Sequence, residues 1–488
     1  MCQFGARPFA PKIGAQKQFH IGMNVTNSQS RRLTAMLQDV QNQIENKSLD
    51  VAAKSLTRLS KDHGRDPRLF LLGTQLALAS GNMGGALASA RRAYDLAPKW
   101  HVAQIHLSEV LTKVGKEKEA LALARLAIEQ VKLIGSDKQA QAQLLRKGAT
   151  VAQRFGDYAL ATQWLERVLQ LTPDDLTVRN EFARCLTYAG KPQQAAQLLS
   201  EMLNQQPDNP ALLLNRLRAN ILAGQAELAI ADGERLVAID ALNDVYRFYL
   251  QVARGETPPT QPEAVISELF DAYAAHYDEL MLKTHRVPVP DAVAKMILEW
   301  HPLKDADILD LGCGTGLLGA FLGPNKGVLV GVDLSADMLA VANQRRVYDR
   351  FHAVNLLAAL DATPADLYHV ITMLDVVSYV GDLQPVASNA LKVLTPGGRL
   401  VLTFEPLSDG TENYKLFNNF LFAYAPAYVE KLMQSAGFEG VSLTEQVLRY
   451  DGQVEVRGYM AVGQKPVTSI ETAAPKPTKN AKRVRRGQ

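Results

Sequence analysis

Glycine recurs through the first half of the chain at a nearly fixed interval. Gly81, Gly115, Gly156, Gly190 and Gly224 are separated by 34, 41, 34 and 34 residues, and Ala86, Ala120, Ala161, Ala195 and Ala229 each follow five positions later. Pro98, Pro173 and Pro207 close three of the units. A period of this length accommodates two helices and their turns. Glycine supplies the left-handed backbone of a tight turn, and the alanine lets the second helix approach the first closely. One such unit cannot bury its own apolar face, so the units must stack into a superhelix with a concave groove. The units run 33–66, 67–100, 101–134, 142–175, 176–209 and 210–243; the interval of 41 is one period plus a seven-residue insert, Gly135 to Gln141. The first unit has Lys47 at the turn position but keeps Ala52 at the alanine position. Leu72, Leu107, Phe155, Trp164 and Phe182 are expected in the stacked core, and Asp244 to Arg254 as a capping helix.

The spacing of glycine, alanine and proline resembles the tetratricopeptide repeat. That resemblance implies a solenoid whose groove takes a protein or peptide partner, with no residue code that names it.

Composition narrows the rest. The chain has 488 residues and a net charge of +3, too near balance for bulk nucleic-acid binding. The excess is local: residues 467–488 sum to +5 through Lys476, Lys479, Lys482, Arg483, Arg485 and Arg486 against Glu471. This stretch is expected to be a solvated, disordered tail, with an RNA contact as the sharper alternative. Cys2, Cys185 and Cys313 make neither a disulfide framework nor a zinc spacing, which fits a reducing cytoplasm. No apolar run has the length of a membrane helix. Residues 1–32 are expected to be a disordered extension, and Met23 offers a second start.

Gly255-Glu256-Thr257-Pro258-Pro259-Thr260-Gln261-Pro262 is a cluster of helix breakers. It separates the array, 33–254, from a domain at 263–466 with a different periodicity. Strands are expected at 308–311, 328–332, 351–354, 368–373 and 399–404, alternating with helices, and a closing pair at 441–448 and 455–462. Strands alternating with helices imply an α/β doubly wound, Rossmann-like sheet.

The first strand runs into Gly312-Cys313-Gly314-Thr315-Gly316, and the second ends at Asp333. A glycine turn lets a ligand approach backbone N–H groups at a helix start, and an acid on the next strand accepts from ribose hydroxyls. Two ligand classes use this plan, a dinucleotide and S-adenosyl-L-methionine. Gly314, Gly316 and Gly319 satisfy the dinucleotide spacing. Asp310, two residues before the turn, favours the other class: it would repel a pyrophosphate and attract a sulfonium ligand with an ammonium group.

The string Asp310 to Gly316 resembles motif I of class I S-adenosylmethionine-dependent methyltransferases. Gly331 to Ser335 with Met338 and Leu339 resembles motif II. Leu374 to Leu383 resembles the end of the fourth strand, and Leu394 to Leu400 the turn before the fifth. Phe270 to Asp278, followed by Arg286, resembles a segment that lids the cofactor. The combination is similar to predicted bacterial methyltransferases carrying tetratricopeptide repeats.

The resemblance implies that Gly312, Cys313, Gly314 and Gly316 form the turn against methionine and ribose, that Asp310 faces the ammonium and that Asp333 holds both ribose hydroxyls. Leu334 and Met338 would pack on adenine, beside Asn355 where an aspartate is usual. Tyr277 and Arg286 are lid candidates. Asp375, ending the fourth strand where methyl acceptors sit, is the candidate catalytic residue. The Asn/Asp-Pro-Pro-Tyr string of amide and nucleobase methylation is absent, and His276, His285, His301, His352 and His369 show no metal spacing. The reading is a methyltransferase with an unidentified acceptor, the array recruiting a protein. A small-molecule enzyme whose repeats only dock it, an NAD-dependent oxidoreductase and a non-catalytic scaffold are the alternatives.

Overall fold

A computed structural model describes residues 28–467 apart from 275–276, 408–411 and 418. The basic cluster 476–486, His276 and residues 1–27 of the expected extension, Met23 included, lie outside the described residues, whereas residues 28–32 of that extension are helical. The chain forms two compact units, one ending at Ala103 and one beginning at Gln104.

The first unit holds two helix pairs, α1 (Ser28–Glu45) with α2 (Leu49–His63) and α3 (Pro67–Ala79) with α4 (Met83–Leu96). Leu37, Val40, Ala52, Leu69 and Leu72 form its core. Lys47 turns this first pair at φ +59°, the conformation that Gly81 takes at +73° in the next. The turn therefore keeps its shape without glycine, at a cost of about 1 kcal/mol for a side chain in that region.

The boundary falls within α5 (His101–Lys113), and the second unit holds further repeat helices. They are the rest of α5, α6 (Glu117–Glu129), α7 (Lys138–Arg154), α8 (Tyr158–Leu171), α9 (Leu176–Tyr188), α10 (Pro192–Gln205), α11 (Pro210–Leu222), α12 (Ala226–Ile239) and α13 (Asp244–Ala253). Gly115, Gly156, Gly190 and Gly224 all turn at φ between +71° and +77°. Ala120, Ala161, Ala195 and Ala229 are fully buried where the paired helices meet. Asp157, Asp175, Asn209 and Asn243 cap α8, α9, α11 and α13, each accepting backbone N–H groups of the first turn. The seven-residue insert follows a short 3-10 turn, Val131–Ile134, and gives α7 its added length.

After residues 255–262 come α14 (Glu263–Tyr273), α15 (Tyr277–Glu279) with a π-helical turn Leu280–Thr284, and α16 (Val289–Trp300). The sheet domain then alternates β1 (Ile308–Leu311), α17 (Leu317–Leu322), β2 (Leu329–Asp333), α18 (Ala336–Gln344), β3 (Arg350–Ala353), α19 (Leu356–Ala362), β4 (Tyr368–Met373), α20 (Gln384–Val393) and β5 (Leu394–Phe404). A small hairpin, β6 (Tyr414–Leu416) and β7 (Phe422–Tyr424), precedes α21 (Pro426–Ala436), β8 (Glu439–Asp451) and β9 (Val454–Gln464). The hairpin was not legible in the sequence.

The seven-stranded sheet has the order β3-β2-β1-β4-β5-β9-β8. Strands β1 to β5 pair in parallel, and β9 joins β5 antiparallel. All four residues of β1 are buried, as expected of a central parallel strand covered on both faces. The order reverses between β1 and β4, and a doubly wound sheet opens its ligand crevice at that switch, beyond the carboxyl ends of the strands.

Gly319 on α17 shows how tightly this end is packed. A Cβ there would sit 2.4 Å from the Tyr348 ring, whereas one on Gly84 in α4 would meet nothing nearer than 3.9 Å. Gly319→Ala should therefore lower the unfolding free energy by about 1–3 kcal/mol through overpacking. Gly84→Ala should raise it by up to about 1 kcal/mol through helix propensity. Denaturant melts of the two variants, read against the wild type, test the contrast.

Candidate active site

The turn after β1 is built from left-handed residues: Gly312, Gly314 and Gly316 have φ of +71°, +53° and +79°. At Gly312 a side chain is excluded by space as well, since a Cβ would lie 2.4 Å from Val376. The Gly314 N–H donates to Asp333 Oδ2 at 2.9 Å, and the Ser335 N–H donates to the other oxygen at 2.9 Å. One carboxylate thus joins the turn after β1 to the start of α18. Each of its oxygens keeps a lone pair for a further donor. Burial pushes Asp333 above the usual carboxylate range, against the pull of those N–H bonds.

This turn opens into a cavity of about 720 Å³, open solvent included. Gly312, Gly314, Asp333, Leu334, Asn355, Tyr277 and Asp375, all singled out in the sequence, line it. Val354, Leu356 and Leu357 line it as well, and the Phe270 and Tyr379 rings meet at 5.2 Å with Tyr379 within electrostatic reach of Asp375. Among the described residues, two carboxylates and no Lys, Arg or His line the space. Such a wall attracts a cationic ligand and repels a pyrophosphate.

Asp375 is held unusually. Its backbone is left-handed at φ +58°, and its N–H donates to Thr403 Oγ1 at 2.9 Å. The carboxyl faces the open space of the cavity, ringed by protein. That crowding pushes its pKa up to about 6; Arg449 opposes the rise and Glu405 adds to it. Arg449 and Glu405 pair at 2.6 Å. The hydroxyls of Tyr277 and Tyr379 are pushed up too, by burial first and then by the charge of Asp375.

Five residues implied by the resemblance lie away from the cavity lining. Asp310 is buried beneath the turn, accepting from Tyr348 Oη and Thr372 Oγ1, both at 2.7 Å. Burial raises its pKa to about 6 although both hydrogen bonds pull it down. Cys313 is buried, its thiol pushed well up by desolvation. Gly316 caps α17, and Met338 is fully enclosed in the core. Arg286 stacks 4.0 Å from the Tyr450 ring centroid and donates to the Gly452 carbonyl at 2.7 Å, so it fastens the β8–β9 turn.

Thr260, Ile266, Phe270, Leu357, Leu374, Val376, Tyr379 and Val380 line the cavity without having been singled out as ligand contacts. Phe270 and the 374–380 stretch lay inside strings already noticed. Nothing local marked Ile266 or Thr260. The helices that cover the cavity are latched to the sheet domain by two acids. Ser335 Oγ donates to Asp271 at 2.5 Å, Thr315 Oγ1 donates to Asp278 at 2.5 Å, and Arg345 pairs with Asp278.

Residues 309–400 match the family model described as a methyltransferase domain, and residues 152–221 match the tetratricopeptide repeat. Two parts of the chain thus match known families, one a tetratricopeptide repeat and the other a methyltransferase domain. A ubiquinone biosynthesis O-methyltransferase of Hydrogenovibrio crunogenus is 30% identical over 26% of this chain and 53% of its own length. A demethylmenaquinone methyltransferase of Symbiobacterium thermophilum is 30% identical over 31% of this chain and 63% of its own. The chain spans about half the length of the curated relatives it matches. A solved S-adenosylmethionine-dependent methyltransferase of Thermotoga maritima, a possible histamine N-methyltransferase, is 18% identical, covering 41% of this chain and 99% of that one, with a TM-score of 0.32. No described helix is long and apolar enough to cross a membrane, and no cluster of metal-ligating side chains occurs among the described residues.

The Asp310 carboxyl ties the methyltransferase domain's stability to pH. Its folded pKa, about 6, lies above the ordinary 3.8, so between those values the folded state binds more protons than the unfolded. Stability then falls as pH rises through this window. D310N, which carries no proton to lose, should lose about 2 kcal/mol less than wild type between pH 4 and pH 6. Denaturant melts at a series of pH values measure the difference; parallel slopes would contradict it.

Proposed function

We propose that the cavity binds S-adenosyl-L-methionine and that the methyltransferase domain passes its methyl group to an acceptor seated beside Asp375. The anionic wall, Asp333 and Asp375 without a basic neighbour among the described lining residues, carries this proposal. Asp333 would accept both ribose hydroxyls through its spare lone pairs, while Leu334 packs on adenine and Asn355 accepts from its amino group. The Gly312–Gly314 turn leaves room for the methionine part, with Asp310 beneath it as a buried countercharge. When bound, the cofactor supplies an electrophilic methyl on a sulfonium.

The protein's part is to place and desolvate the acceptor in line with that methyl. Asp375, its pKa pushed up to about 6, is suited to take the proton from an acceptor O–H or N–H as the new bond forms. Phe270, Ile266, Val376, Tyr379 and Val380 make much of the cavity lining apolar and aromatic. This favours a small, flat acceptor, in keeping with the quinone-pathway names of two relatives. In this reading the array docks the enzyme to a protein or peptide partner. Delivery of a macromolecular acceptor by the groove is the second reading, supported by the repeats themselves.

Asp333→Ala removes a charged acceptor and should weaken binding of S-adenosylhomocysteine by about ten- to a hundredfold, or about 1.5–3 kcal/mol. Calorimetry on the full chain tests this. Binding of NAD with none of S-adenosylhomocysteine would overturn the cofactor assignment in favour of a dinucleotide. Labelled methyl transfer into a lysate, separated into protein and small-molecule fractions, distinguishes the two acceptor classes.

A further inference from the structure

Helix α14, which lines the cavity, and the β6–β7 hairpin, which bonds to the stretch that lines it, both pack on the last helices of the repeat array. Helix α14 presents Ile266 and Phe270 to the cavity. Its Val265 packs instead on the buried array cluster that includes Leu213 and Leu217 of α11 and Phe248 and Tyr249 of α13. Glu268 of the same helix lies within electrostatic reach of Arg218 and Tyr249.

The β6–β7 hairpin is the second element. Tyr424 Oη donates to the Val377 carbonyl at 2.8 Å, beside Tyr379 and Val380 of the cavity wall. The hairpin's other end carries Leu416 and Phe420, both packed on the same array cluster as Val265. The Phe420 ring meets Tyr249 edge-on at 5.4 Å, and Arg218 lies 4.6 Å from the opposite partner of that contact, the Tyr249 ring centroid. Phe420 is left-handed at φ +61°, and the Gln261 side chain donates to its carbonyl. A bulky residue in that region costs about 1–3 kcal/mol and persists only where its surroundings hold it.

We propose that α11 and α13 of the array brace α14 and, through the β6–β7 hairpin, the Val377–Val380 wall of the methyl-transfer cavity, with Val265 and Phe420 as positioning residues. This inference rests on the cavity being the S-adenosylmethionine site. Neither side chain lines the cavity, so each acts through a neighbour: Val265 through Ile266 and Phe270, Phe420 through the hairpin and the Val377–Val380 turn. The array is then part of the enzyme's working structure as well as a place for a partner.

The test is made on the full chain carrying Val265→Ala and Phe420→Ala together. The affinity for S-adenosylhomocysteine should fall about tenfold, as a closed, binding-competent state becomes a minor population. Amide hydrogen exchange should quicken in residues 263–284 and 414–424 and stay unchanged in β1 and β2. Val265 restored with Phe420→Leu, which keeps an apolar contact on Tyr249, should recover most of the affinity. Unchanged affinity in the double variant would overturn the brace, and so would exchange quickening equally through β1 and β2, because the contacts would then serve stability alone. If the wild-type chain bound no S-adenosylhomocysteine, the cofactor assignment would fail, and the localised exchange would still decide the brace.

Discussion

The carboxylate of Asp333 accepts the Gly314 N–H at 2.9 Å, and much of the methyltransferase domain is arranged so that this bond can exist. It needs β1 and β2 side by side and in register, which their parallel pairing provides. It needs a turn after β1 that takes left-handed backbone at three alternate positions. It needs α18 to start immediately after β2, so that the Ser335 N–H holds the second oxygen. The result is an acid fixed at the mouth of the crevice with lone pairs to spare. A second acid, Asp375, faces the same space from the end of β4. With no basic side chain among the described lining residues, the electrostatics favour a cation, which supports the sulfonium ligand over the pyrophosphate that the glycine spacing alone would admit.

Features set by local chemistry were legible in the sequence. The repeat glycines mark left-handed turns because few other residues take them cheaply, and the fully buried alanines follow because a larger side chain would force the paired helices apart. The glycine string and Asp333 were readable for the same reason: each constraint acts within a few residues. Lys47 shows the limit of the argument, since stacking of the first pair holds it in the same turn at a cost that glycine would not incur.

What escaped the sequence depends on contacts between distant residues. Asp310 is enclosed by Tyr348 and Thr372, 38 and 62 positions away, and its separation from the cavity lining follows from that packing. Arg286 turns to the β8–β9 hairpin more than 160 positions on. The β6–β7 hairpin has strands of three residues, too short to show a period. Ile266 and Thr260 sit in the cavity wall because the chain re-enters the sheet domain there, where Thr260 bridges to Val380.

A crystal structure of the full chain with S-adenosylhomocysteine tests the central assignment most directly. The ribose hydroxyls should lie within hydrogen-bond distance of both Asp333 oxygens, adenine against Leu334 and Asn355, and sulfur turned toward Asp375 and Tyr379. A ligand seated elsewhere, or one whose ribose avoids Asp333, would contradict it.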